Sequence, residues 1–302
     1  MSEPPRPAAL APGNAASAPS GAIVNAMTVD VEDYFQVSAF DRVVPRARWD
    51  VLESRVARNT DRVLELFDRA NVRGTFFVLG WVAERFPALV RRIADLGHEV
   101  ASHGYNHQLV YLLTPRQFRE DIRAAKHAIE NAAGVEVVGF RAPSYSVIDS
   151  SLWTLDVLIE EGFAYDASIF PIHHDRYGIP DSPRHPYVLQ RSAGSILEVP
   201  GSTVRLGRVN LPIGGGYFRQ FPYAWTKFGI DRVNRIERQP VTFYTHPWEL
   251  DPDQPRMAVG IGTRLRHYRG LERTADRLAR LVRDFRFDSV TSMLDLAALK
   301  VA

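Results

Sequence analysis

The chain has 302 residues and carries 37 lysines and arginines against 35 aspartates and glutamates, with 45% hydrophobic and 24% charged residues. Those fractions exclude collagen-like, coiled-coil and wholly disordered classes, and the net charge of +2 gives no case for nucleic acid or an anionic membrane and suits a neutral polymer better than a polyanion. There is no cysteine, so disulfides and thiolate metal sites are excluded, and a transition metal would have to be held by histidine and carboxylate.

Residues 1–22 hold seven alanines and five prolines, with Glu3 and Arg6 as their only charged side chains. Such a segment buries too little apolar surface to offset its ordering entropy and reads as a disordered lead. It lacks the basic start and apolar stretch of a secretory signal, and no apolar run approaches the length of a membrane span, so the expected location is cytoplasmic.

From residue 23 onward, short apolar runs alternate with stretches of helical spacing. Residues 23–31 read as a buried strand, and Asn59, Thr60 and Asp61 give capping signals for a helix carrying Val63, Leu64, Leu66 and Phe67. A strand at 74–79 leads to a helix at 87–96 stopped by Gly97. A strand at 98–102 leads to a helix capped by Thr114, with Pro115 in its first turn, reaching about residue 131. A strand at 137–140, a helix at 150–161 and a strand at 163–169 keep the rhythm. Residues 173–186, rich in proline, histidine and aspartate, read as a long surface loop. Short strands at 188–190, 196–199 and 203–206 and a glycine-rich turn at 211–216 follow. A helix at 223–236, a strand at 241–244, one long helix at 264–285, a strand near 289 and a short helix after Thr291 complete the series. About seven strand–helix units predict an α/β fold built as a closed or nearly closed parallel barrel. The alternative is a doubly wound open sheet, although no Gly-x-Gly-x-x-Gly follows any strand.

Parallel α/β folds collect functional groups at the C-terminal ends of their strands. The first strand ends in Asp30, Glu32 and Asp33, with Asp30 and Glu32 on one face by alternation. Such a pair is either a solvated acidic strand end or a site with a cation or an acid–base task. The third strand runs into His103-Gly104-Tyr105-Asn106-His107. That spacing can set two imidazoles on one side of a helical turn, where they and a first-strand carboxylate would leave open positions on a metal. Arg141 ends the fourth strand and could pair with a carboxylate in the mouth, or simply be a surface arginine. His246 ends the strand at 241–244, as a candidate general acid or a core histidine bonded to a carbonyl.

These segments, Thr-Val-Asp-Val-Glu-Asp, Gly-Thr-Phe-Phe-Val-Leu-Gly, Gly-His-Glu-Val-Ala-Ser-His-Gly-Tyr-Asn-His, Phe-Arg-Ala-Pro-Ser and Tyr-Thr-His-Pro-Trp-Glu, lie in that order between residues 28 and 249. Together they resemble the polysaccharide deacetylases with NodB homology, carbohydrate esterases that remove N-acetyl groups from amino sugars. Val-Asp-Val-Glu-Asp-Tyr-Phe, Tyr-Asp-Ala-Ser-Ile-Phe-Pro and His-Tyr-Arg-Gly-Leu near residue 267 look like the subgroup tied to exosortase-linked exopolysaccharide gene clusters. The resemblance implies a distorted (β/α)₇ barrel over residues 23–250 with a C-terminal extension at 251–302. It also implies a divalent metal, usually zinc, and an N-acetylated hexosamine polysaccharide or oligosaccharide as substrate. By it, Asp30 is the catalytic base, His103 and His107 are metal ligands, His246 is the catalytic acid, and Arg141 orients the base. Ser144 supplies an oxyanion donor through its amide, and Asp166 supports His246. Where the common family pattern has two adjacent aspartates, Val31 follows Asp30 here, so Glu32 is the expected third ligand, with Asp33 as the alternative.

Tyr34, Tyr105, Tyr145, Trp248 and the 173–186 loop form an expected sugar-stacking groove. Three rival readings accompany this one: a glycoside hydrolase using Asp30 with Glu249, a metal-independent hydrolase of a small cyclic amide, and a non-catalytic carbohydrate-binding protein.

Overall fold

The computed structural model describes residues 23–295, so the expected disordered lead at 1–22 lies outside the described residues. β1 (Val24–Val31) is buried from Asn25 onward, as a strand covered on both faces must be. α1 (Val56–Ala70) begins ahead of the expected cap at Asn59–Asp61. Its cap comes from another element: the Asp33 carboxylate accepts hydrogen bonds from the amides of Arg55 at 2.8 Å and Val56 at 3.1 Å. Asn59 and Thr60 are instead buried within the helix.

The chain then runs through β2 (Thr75–Val78), α2 (Gly80–Arg85), α3 (Pro87–Asp95), β3 (Glu99–Ser102) and α4 (Pro115–Ala133). At α4 the Thr114 hydroxyl accepts from the Gln117 amide, the cap expected there, and the Gln117 side chain accepts in return from the Thr114 amide. β4 (Gly139–Phe140), α5 (Trp153–Glu160), β5 (Tyr165–Asp166), β6 (Tyr187–Arg191) and β7 (Gly194–Glu198) follow. A hairpin of β8 (Thr203–Leu206) and β9 (Val209–Pro212) leads to α6 (Gly216–Gln220), α7 (Tyr223–Arg232) and β10 (Thr242–Thr245).

The expected long helix at 264–285 is two helices, α8 (Ile261–Tyr268) and α9 (Thr274–Asp284), before β11 (Arg286–Asp288) and α10 (Val290–Leu294). The break is at Gly270, whose φ of 81° is left-handed and whose missing Cβ would sit 2.5 Å from the Arg219 carbonyl oxygen.

Seven strands run parallel in the order β10-β1-β2-β3-β4-β5-β7, with β6 antiparallel on the outer side of β7 and β11 parallel beside β1. No ladder joins β7 to β10 among the described residues. The gap is bridged by single hydrogen bonds, from the Thr242 amide to Ser202 Oγ at 2.6 Å and from the Gly215 amide to the Tyr244 carbonyl at 2.9 Å. The result is a distorted (β/α)₇ barrel. Phe77, Tyr165 and Leu197, with small Ala26, Ala101 and Ala167, fill its interior. α10 closes the floor, where the Val290 amide donates to Thr75 Oγ1 at 2.8 Å. The strand ends at the opposite mouth carry the polar side chains.

Candidate active site

Asp30 and Glu32 are 3% and 2% exposed at the end of β1, on the side facing the mouth. Arg141, fully buried after β4, donates from Nη1 to Asp30 Oδ1 at 2.7 Å and to Thr28 Oγ1 at 2.8 Å. It also donates from Nε to the Ala167 carbonyl at 3.2 Å, and its guanidinium lies 4.1 Å from the Phe77 ring centroid. A carboxylate buried to this extent is costly without a partner of this kind. Glu32 Oε2 lies 2.7 Å from His107 Nε2, and Glu32 Oε1 accepts from Trp248 Nε1 at 3.2 Å. Burial would raise the Glu32 pKa, but the three histidines around it, His107 foremost, outweigh burial and hold it down to about 2.

His103 and His107 sit on a loop, and no helical turn forms between them. Gly104 (φ 72°) and His107 (φ 54°) both adopt left-handed backbone, which folds the segment back and brings the two rings to 5.5 Å. A Cβ at position 104 would lie 2.9 Å from Asp121 Oδ2, the oxygen that accepts the Tyr105 amide. The first amides of α2, Gly80 and Trp81, take the carbonyls of Gly104 and Tyr105 at 2.9 and 3.2 Å, fixing the loop from the other side. His103 Nδ1 lies 2.8 Å from the Arg141 carbonyl, a contact that requires the proton on Nδ1 and leaves the Nε2 lone pair free. Burial pushes the His103 pKa down to about 4.

His246 follows β10 and is held by a residue three positions on: His246 Nδ1 lies 2.9 Å from Glu249 Oε1. His246 Nε2 faces the carboxylate pair, 3.5 Å from Glu32 Oε1 and 3.8 Å from Asp30 Oδ2. Burial would lower its pKa, but the hydrogen bond and charge of Glu249, with the two carboxylates, raise it to about 9. Trp248 stacks on His246 at 5.2 Å and on His267 at 4.2 Å.

Three expected assignments are corrected. Asp33 does not join the ligand set. Besides the Arg55 and Val56 amides, its carboxylate takes Ser54 Oγ at 2.6 Å and its neighbour's amide at 2.9 Å, and burial, only partly offset by those bonds, raises its pKa to about 6. Asp166 does not support His246. Its carboxylate accepts from Ser168 Oγ, which in turn accepts the Ala142 amide at 2.7 Å, so Asp166 orders the turn after β4. Glu249 is no partner for Asp30 in a glycosidase pair, because its buried carboxylate is engaged by His246 and by Thr245 Oγ1.

One group was not singled out from the sequence. Arg219, 4% exposed on α6, places Nε 3.6 Å from Glu249 Oε1 and donates from Nη1 to the carbonyls of His267 and Arg269 at 2.8 and 3.0 Å. Burial would raise the Glu249 pKa, but the Arg219 charge and His246 hold it below the usual carboxylate range.

A cavity of about 580 Å³ opens over these groups, lined among others by Asp30, Glu32, His103, His107, Ser144 and His246. Of the expected stacking surfaces, Tyr145, Trp248 and the loop residue Tyr177 line it, whereas Tyr34 and Tyr105 do not. Ser144 and Tyr145 both have positive φ, 55° and 52°, so the backbone turns sharply beside the mouth. Glu32, His103 and His107 bring one ligand atom each to within 4.8 Å of one another, all buried. Two nitrogens and one oxygen converging on one side suit a divalent transition metal with open positions. The residues present therefore fit a metal.

Comparison with known proteins bears on this geometry. Residues 40–158 match the family described as polysaccharide deacetylase, and residues 167–295 match a domain of unknown function (DUF3473). A peptidoglycan deacetylase-like protein of Gibberella zeae is 34% identical over 36% of this chain and 32% of its own length. A peptidoglycan deacetylase of Helicobacter pylori is 32% identical over 38% of this chain and 37% of its own. The chain thus spans about a third of the length of these curated relatives. A solved Mycobacterium smegmatis structure, described as a candidate polysaccharide deacetylase, is 22% identical and superposes with a TM-score of 0.66 over 98% of this chain and 96% of that one. PuuE allantoinase, 15% identical, superposes with a TM-score of 0.59 over 90% and 88%. These two likenesses show the fold. No described helix is long and apolar enough to cross a membrane.

Proposed function

We propose, from the match of residues 40–158 to the polysaccharide deacetylase family, that the chain is a metal-dependent hydrolase removing N-acetyl groups from the amino sugars of an exopolysaccharide. The observation that carries the reading is the facing arrangement of an arginine-held Asp30 and a glutamate-held His246 across the Glu32, His103 and His107 cluster. A zinc-like dication on that cluster supplies Lewis acidity at the acetamide carbonyl. Asp30 accepts the proton of the attacking water, and Arg141 holds its carboxylate aimed. The Ser144 amide donates to the oxygen that gains charge as the carbonyl carbon becomes tetrahedral. His246 gives its Nε2 proton to the departing nitrogen. The C–N bond breaks, acetate leaves, and a free amine remains on the sugar. Glu249 fixes the His246 ring with Nδ1 protonated, so that Nε2 faces the reacting centre.

The test is acetate release from N-acetylglucosamine oligomers and from cell-derived polysaccharide, before and after chelation and with zinc restored. Zinc-dependent acetate without new reducing ends is the expected result. Acetate formed at full rate after complete metal removal would overturn the metal-assisted reading. Reducing ends without acetate would point to glycoside hydrolysis.

A further inference from the structure

We propose that the mouth of this cavity holds an anion subsite, formed by Arg42, Arg176 and Arg266, which selects N-acetylated glycans bearing a carboxylate or phosphate near the reacting acetamide. The inference rests on the deacetylase reading and adds a substrate class to it. The three arginines line the same cavity as Asp30 and His246, and they reach it from three separate stretches: the turn after β1, the 173–186 loop and α8. All three are exposed, and among the described residues no carboxylate lies within the 4.0 Å that defines an ion pair for any of them.

Other exposed arginines, Arg205, Arg208 and Arg238 among them, also lack an ion pair among the described residues, so what marks these three is their convergence on one cavity. On α4, Arg116, Arg119 and Arg123 each pair with a glutamate. At the mouth two acids are committed, Asp30 to Arg141 and Glu32 to His107. Asp175 on the rim lies 3.0 Å from His174 Nδ1, which accepts the Arg176 amide, and so keeps its charge unpaired. Asp41, next to Arg42 in sequence, is outside the lining but within reach of the Arg176 charge. With a dication balancing Asp30 and Glu32, the three arginines outnumber these two acids, and the entrance is left positive although the whole chain is nearly neutral.

Guanidinium groups present flat forks of donors that match carboxylate and phosphate oxygens two at a time. A cavity of about 580 Å³ is the size of a small ligand site. The rim therefore reaches the reacting sugar and its immediate neighbours, not a distant part of the polymer. This reverses the expectation of a neutral polymer drawn from net charge, which averages over the surface and misses a local excess.

The test measures binding without turnover. Zinc-loaded Asp30→Asn protein, full length, is titrated calorimetrically with three matched N-acetylhexosamine tetramers: neutral, with one neighbouring uronate, and with one neighbouring sugar phosphate. A charged tetramer is expected to bind about ten-fold tighter than the neutral one, with the advantage shrinking as salt rises. The two charged arms show whether carboxylate or phosphate is preferred.

Adding Arg42→Gln, Arg176→Gln and Arg266→Gln together should bring the affinities to within about two-fold of each other, with thermal melting confirming the fold. If the triple substitution unfolds, Arg176→Gln alone should cut the advantage by about half or more. Equal or weaker binding of both charged tetramers, or an advantage that survives loss of the arginines, overturns the subsite. Acetate release by the unsubstituted protein from all three tetramers is followed in parallel. Failure with every one of them counts against the deacetylase reading alone, because the binding preference is read independently of it.

Discussion

The two walls of the cavity are built differently. The wall of Asp30, Arg141, His103 and His107 is fixed largely by backbone: strand ends, a carbonyl on His103, and helix amides holding the histidine loop. The wall of His246 is fixed mainly by side chains, in the chain Arg219–Glu249–His246 and the stack of His246, Trp248 and His267, with backbone entering through the carbonyls that hold Arg219. All of these side chains lie within the 167–295 segment, which gives that segment a place in the site itself. Backbone-held groups tolerate substitution of their neighbours better, whereas a side-chain relay fails one link at a time.

The contrast can be broken in graded steps. Asp30→Asn should lower kcat for acetate release by about a thousand-fold or more while bound metal, measured by elemental analysis, stays stoichiometric. Retained turnover would remove Asp30 as the base. Glu32→Gln should weaken metal binding by more than about 100-fold in a chelator competition, with Asp33→Ala leaving metal affinity unchanged. The reverse pattern would restore Asp33 as the ligand. Glu249→Gln should reduce kcat by about 10- to 100-fold with little change in KM or metal content, since it disturbs only how His246 is held. Equal loss of metal would show that the two walls are not separable.

Two smaller effects concern stability. Burial pushes the His98 pKa down to about 4, and its Nδ1 accepts the Gly74 amide at 3.2 Å. The unfolded chain, near 6.5, takes up a proton first. The contribution of neutral His98 is therefore complete above about pH 6.5 and is lost as pH falls toward 4, up to about 2–3 kcal/mol. Urea denaturation across that range should show the slope, and His98→Asn should flatten it. Asp33→Ala should cost about 1–2 kcal/mol through the lost cap of α1, with catalysis per folded molecule kept.

Much of the site was legible because strand ends advertise themselves: Asp30, His103, Arg141 and His246 each follow an apolar run, and alternation placed Asp30 with Glu32. The misreadings share one cause, which is partner choice made through space. Asp33 and Glu32 are neighbours, and only the arrival of α1 beneath Asp33 separates their duties. Asp166 had a free choice of partners until Ser168 and the Ala142 amide stood beside it. Glu249 was in view three residues after His246, but the 3₁₀ turn at Pro247–Leu250 that folds it back is too short for a sequence period to announce it. Arg219 had no local signal at all. The break in the 264–285 helix was visible as Gly270, yet it is the Arg219 carbonyl packed there that makes the glycine necessary.

β1 carries Asp30 and Glu32, but its flanks are β2 on one side and β10 and β11 on the other, with Asn25 reaching Arg286 across a separation of 261 residues. Contacts of such long range form late in folding, because the entropy of closing the intervening loop must be overcome first. The strand bearing the two acids is therefore among the last to be fully flanked, and its register depends on segments that lie far from it in sequence.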